Sequence, residues 1–186
     1  GVETSKKQSF IGCIADIWVD VTVSTRKTIK EMKEVLIDAM SLDVFIALQN
    51  GDLIEIFTPD KHEHVEEDYS ASQYTSSTLY ATVDFKNIAQ QKLFQRAVLS
   101  YENFIAYLRD DDIKIDYTYL WDLICMPNEQ LFPDGLNMVI LEFADDDVTN
   151  NIQIICPSNH YSNNIFDPNK NTILILKNEN IYEPII

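Results

Sequence analysis

The sequence predicts an α+β fold in which helices pack around a small central β-sheet. Two observations carry this. Apolar residues recur at three- and four-residue spacing through the first two thirds of the chain, and short apolar runs crowd into the last third. A composition of 46% hydrophobic, 24% charged and 11% aromatic residues over 186 positions supplies enough apolar surface for one ordinary domain.

Taken in order, a polar opening from Glu3 to Gln8 meets the apolar stretch Phe10-Ile11-Gly12-Cys13-Ile14-Ala15, which predicts a first helix capped by Ser9 and running through Trp18. Ile29, Met32, Leu36, Met40, Val44 and Leu48 share one helical face, so Thr25 to Gln49 reads as helix, with Met40 to Asp43 as the place where it can break in two. Gln49-Asn50-Gly51-Asp52 is a stop signal. Leu53 to Phe57 fits a strand or a short helix equally. Pro59 to Ser77 is polar and acidic and reads as a long exposed loop. Asn87 to Leu108 is helical by its spacing and ends at Asp110-Asp111-Asp112; Tyr117 to Cys125 is a further helical segment. Three strands follow at Leu136 to Phe143, Ile152 to Cys156 and Thr172 to Leu176. The first is a near-continuous apolar run, which predicts an interior strand covered on both faces, with Val139, Ile140 and Leu141 all inaccessible. The apolar pair Ile185-Ile186 reads as a strand cut short, and the start at Gly1 reads as a fragment of a longer protein, so residues 1–186 are expected to form a single domain of a larger chain.

Thirty acidic residues against 14 basic ones give a net charge of −16. Such a surface repels phosphate backbones and anionic lipid, so nucleic acid and membranes are not the expected ligands, and a basic protein surface is. No apolar run approaches the roughly 18 residues of a membrane span, and no signal-peptide stretch opens the chain. Cys13, Cys125 and Cys156 are odd in number and widely spaced, which suits a reducing compartment rather than a disulfide framework or a zinc pair.

Two clusters invite a chemical reading. His62-Glu63-His64, with Asp60, Glu66, Glu67 and Asp68, holds metal-ligating groups, but no apolar neighbour fixes their geometry, so a solvated loop without metal is expected. Cys13 and His160 could pair as thiol and base in a displaced active site. Against that, Cys13 sits among apolar neighbours and reads as a small core residue. No cofactor is expected.

Gln8-Ser9-Phe10-Ile11-Gly12-Cys13-Ile14-Ala15 at the first helix, with Asn180-Ile181-Tyr182-Glu183-Pro184-Ile185 after the last apolar strand, resembles the ovarian-tumour (OTU) class of cysteine proteases, a papain-like group made up mostly of deubiquitinases. Tyr119-Leu120-Trp121-Asp122-Leu123 is similar to the helix ahead of that family's central strand. The resemblance places the family's nucleophilic cysteine at Ser9 and its Asp-Gly-Asn lead at Lys6-Lys7-Gln8. The general-base histidine falls at Ile181 and the orienting polar residue at Glu183, with the neighbouring tyrosine kept as Tyr182. An isoleucine cannot take a proton, and a serine without a base is unactivated. The resemblance therefore implies a pseudoenzyme with Ser9, Ile181 and Glu183 as degenerate positions, serving as a protein-binding or scaffolding module. Its implied partners are ubiquitin, another protein or other domains of the parent chain. Two further readings stand beside it: an active protease or deubiquitinase using Cys13 with His160, and a purely structural domain. The abundance of Asn, Ile, Asp and Tyr, with a helix-opening QSF segment and a closing Tyr-Glu-Pro, is similar to OTU-like domains in long proteins of large DNA viruses. That likeness implies a host-cytoplasmic or virion location.

Overall fold

A computed structural model describes residues 5–22, 25–59, 69, 72–143, 152–157 and 166–185. They form an α+β arrangement of helices and a small mixed sheet.

Helix α1 spans Ser9–Thr22, one turn beyond the predicted end. Phe10, Ile11, Cys13, Ile14, Ala15 and Ile17 are all buried, so apolar residues surround the helix as they do in one that runs through a core. It packs against α2 and the last strand. Helix α2 (Ile29–Asp38) opens with a capping box. Thr28 Oγ1 accepts from Glu31 N at 3.2 Å, and Glu31 Oε2 accepts from Thr28 N at 2.8 Å. The helix stops at Ala39, and Ser41 caps α3 (Leu42–Ala47) by accepting from Val44 N, so the break falls at the predicted Met40–Asp43. The stop signal then turns the chain sharply: Gln49, Asn50 and Gly51 take φ of 48°, 54° and 93°. Gln49 and Asn50 bear a left-handed strain that glycine avoids. Gln49 is held by its own amide, which donates to Asp122 Oδ2 at 2.6 Å. Leu53 to Phe57 resolves as helix, within α4 (Asp52–Phe57).

The reading of Pro59 to Ser77 as a solvated loop needs correction at its second half. Tyr69, Tyr74 and Ser77 are buried, and Gln73–Ser76 forms a 3-10 turn. Tyr69 packs edge-on to Phe94, and both tyrosines join Leu42, Ala97 and Val98 in a second apolar cluster. Two aromatic residues anchor a segment whose average polarity concealed them. Asp60 to Asp68, including His62 and His64, lies outside the described residues. An unforeseen short helix, α5 (Thr78–Thr82), follows, capped by Ser77 and held by Asp43, whose carboxylate accepts from Thr78 N. Helix α6 (Ile88–Arg109) begins at the Asn87 cap and carries Phe94, Phe104 and Leu108 into the core. Tyr117 to Cys125 divides into a 3-10 turn (Tyr117–Tyr119) and α7 (Trp121–Cys125).

The sheet runs β2-β1-β3-β4, with β1 (Leu136–Phe143) parallel to β3 (Asn171–Asn178), and β2 (Ile152–Ile155) and β4 (Ile181–Ile185) antiparallel at its edges. β1 is interior, as its composition predicts. Its burial is not: Leu136, Met138 and Ile140 are buried, but Val139 and Leu141 are only half-buried. The same alternation holds on β3, where Ile173 and Ile175 are buried and Leu174 is exposed. The apolar run thus has a closely covered face and a partly open one, because the buried side is the one that meets Tyr182 and the α1 core. Gly135, at φ 67°, turns the chain into β1 where a Cβ would stand 2.6 Å from Cys125 O.

Candidate functional site

The N-terminus of α1 and strand β4 meet. Ser5 Oγ accepts from the amides of Lys7 (3.3 Å) and Gln8 (3.0 Å), which shapes the turn leading into the helix. That turn is tied to the segment after α6. Gln8 Nε2 donates to Asp110 O at 2.7 Å and Ile113 O at 3.2 Å, and Ile115 N donates to Lys7 O at 3.0 Å. Lys33, buried on α2, closes the junction: its Nζ donates to Gln8 Oε1 (3.3 Å), Asp110 O (3.0 Å) and Asp111 Oδ1 (2.7 Å). Lys33 holds the Asp111 carboxyl below the usual carboxylate range, first through the hydrogen bond and then through its charge.

Ser9 does something other than cap. Its hydroxyl donates to Asn180 O at 2.7 Å and accepts from Tyr182 N at 3.2 Å, the two residues that flank Ile181. It therefore clips strand β4 to the start of α1 across 171 and 173 positions of sequence. Ser9 is 3% exposed and both hydrogen-bonding roles of its oxygen are engaged. Tyr182 packs edge-on to Phe10 (5.2 Å) and Tyr117 (6.3 Å) in the core, and burial, followed by the charge of Asp116, raises its phenol pKa.

The structure thus brings Ser9 to the backbone on either side of Ile181. The side chains of Ile181 and Glu183 go elsewhere: both are exposed, on the sheet face opposite Tyr182. With the Ile181 and Glu183 side chains on the other face of the sheet, the Ser9 hydroxyl holds two elements together, and its hydrogen bonds among the described residues go to main-chain groups. Cys13 is fully buried on α1, and burial, then Asp16 and Glu183, raises its thiol pKa far above neutrality. Burial and the neighbouring carboxylates both disfavour the thiolate that a cysteine nucleophile requires. His160, its notional partner, lies outside the described residues. Among the described residues no group of three or more His, Cys, Asp or Glu side chains gathers as a metal site, and no helix is long and apolar enough to cross a membrane.

Two surface features escaped the sequence. One is a groove of ≈ 820 Å³ between α2 and α6, lined by Ile37, Met40, Tyr74, Tyr101, Glu102 and Arg109. Tyr74 Oη donates to Glu102 Oε1 there at 2.6 Å. The other is the open face of the sheet, where a depression of ≈ 200 Å³ is lined by Phe143, Leu176, Asn178, Ile181 and Glu183. The second was hidden because β1 and β3 are apolar on both faces, so their composition does not say which face is covered. The first left no signal, since its walls come from segments distant in sequence.

No family model matches the chain, and no solved structure matches it. One curated protein is similar: an uncharacterized protein of Acanthamoeba polyphaga mimivirus, 29% identical over 96 residues. That stretch is 47% of this chain and 6% of the viral protein, so the likeness concerns a small part of a far longer polypeptide.

Proposed function

We propose that this chain is a catalytically inactive, OTU-like module that binds a protein partner within a larger viral polypeptide. The observation that carries the reading is the engagement of Ser9. The position that resembles the family's nucleophile stands at the start of α1 beside the last strand, and its hydroxyl is used up in joining Asn180 to Tyr182. Acyl transfer requires an activated nucleophile, a base and oxyanion donors. Ile181 supplies no base. The amides of Lys7 and Gln8 are already committed to Ser5, and the side-chain amide of Gln8 to Asp110 and Ile113. The likeness to part of a long mimivirus protein supports a viral, multidomain setting. Ubiquitin is the partner that the family resemblance suggests, and an acidic domain of charge −16 suits a basic protein surface.

Titration of the 15N-labelled domain with ubiquitin, alongside incubation with a ubiquitin-propargyl probe, tests this. Saturable shifts without covalent labelling are expected. Labelling that disappears with Cys13→Ala would establish an active thiol enzyme instead, and no shift at millimolar ubiquitin would remove ubiquitin as partner.

A further inference from the structure

We propose that the open face of the β-sheet is a docking surface for a partner protein that inserts a lysine or arginine side chain beside Glu183. The inference builds on the reading of the domain as a protein-binding module, though not on ubiquitin as the partner.

The strand register defines the surface. Ile154, Leu141, Leu176 and Glu183 stand side by side across all four strands, and Val139, Leu174 and Ile185 form the neighbouring row. Ile152 and Phe143 pair in the next row, with Ile181 at its far side. Nine apolar side chains therefore share one face. Ile154 is 65% exposed, Ile181 46%, Ile185 44% and Leu174 39%. On the opposite face Ile140 and Ile175 are wholly buried. A contiguous exposed apolar surface of this kind marks an interaction site.

Charge decides the occupant. Glu183 lies in the apolar rows and has no ion pair among the described residues; Lys177 stands on the opposite face, where it is paired with Glu142. Covering Glu183 with an apolar surface would bury an unpaired carboxylate, a desolvation penalty that a cation offsets. A second copy of this chain would bring Glu183 and a charge of −16 against themselves, so self-association is disfavoured. The depression beside Glu183 matches the remaining requirement. Phe143, Leu176 and Ile181 offer apolar walls for the methylene stem of a lysine or arginine, and Glu183 and Asn178 offer acceptors for its head.

The test is selection of random peptides displayed on phage against the immobilised domain, followed by affinity measurement on the selected peptides and sedimentation velocity of the domain alone. Selected peptides are expected to share a lysine or arginine flanked by apolar residues. Their affinity should fall about tenfold with Glu183→Gln and at least as far with Ile181→Asp or Ile185→Asp, and stay unchanged with Glu102→Gln in the α2–α6 groove. Raised salt should weaken them. Failure to enrich any peptide, enrichment of peptides without a cation, or affinity indifferent to Glu183→Gln would overturn the proposal. So would a dimer that Ile185→Asp dissolves. Absence of ubiquitin binding together with the expected peptide result would reject ubiquitin alone. Ubiquitin binding that is insensitive to Glu183→Gln and Ile181→Asp would support the module and reject this surface.

Discussion

Replacing Ser9 with alanine should destabilise the domain by about 2–4 kcal/mol, although the change removes a single oxygen from a residue expected to be catalytically silent. That oxygen satisfies two main-chain groups, Asn180 O and Tyr182 N, in a setting where Ser9 is 3% exposed. Each buried polar group left without a partner costs about 1–3 kcal/mol. The carbonyl keeps a second lone pair, so its share falls at the lower end; the amide has one proton and no alternative. In urea the midpoint should drop with the slope unchanged, and the melting temperature should fall by about 5–15 °C for a domain of this size. Ser9→Cys should land between wild type and Ser9→Ala, since sulfur donates and accepts weakly. The cysteine should also resist ubiquitin-propargyl labelling, because the position is enclosed. A Ser9→Ala protein within about 0.5 kcal/mol of wild type would refute the clip and return Ser9 to an incidental helix position.

Gly135→Ala should cost at least about 2 kcal/mol by thermal melting, because the φ of 67° is strained for alanine and the added Cβ meets Cys125 O at 2.6 Å. In a thiol-titration assay under native conditions, exposed Cys156 should react first. Cys125, whose thiol burial pushes up to about 12, should lag, and Cys13 should react only on unfolding; rapid modification of Cys13 would revive the displaced-site reading. The lowered Asp111 pKa gives stability that is complete above its ordinary value of 3.8 and is lost as pH falls through the lowered one. Urea midpoints of wild type and Asp111→Asn should therefore differ at pH 6 and converge in strong acid; parallel curves would deny the Lys33 contact its role.

Periodicity alone made much of the architecture legible. The spacing from Ile88 to Leu108, the apolar run Leu136 to Phe143 and the break near Met40 are local patterns, and local backbone geometry answers to them. The absence of a proton acceptor at Ile181 is likewise written in the residue itself. What the sequence could not decide is which groups share space. Leu53 to Phe57 has no periodicity that separates strand from helix, and it is helix in the fold, packed against α6 with Leu53 buried. Tyr69 and Tyr74 sat in a polar stretch whose average hid two anchors until Phe94 and Leu42 came beside them. Val139 and Ile140 are equally apolar, yet only one is buried, because cover over a sheet face belongs to the elements packed on it and not to the strand. Ser9 could be read locally as a helix cap. Its bonds to Asn180 and Tyr182 exist because the fold brings the start of α1 against β4, and a hydrogen bond is satisfied by proximity in space, whatever the distance along the sequence.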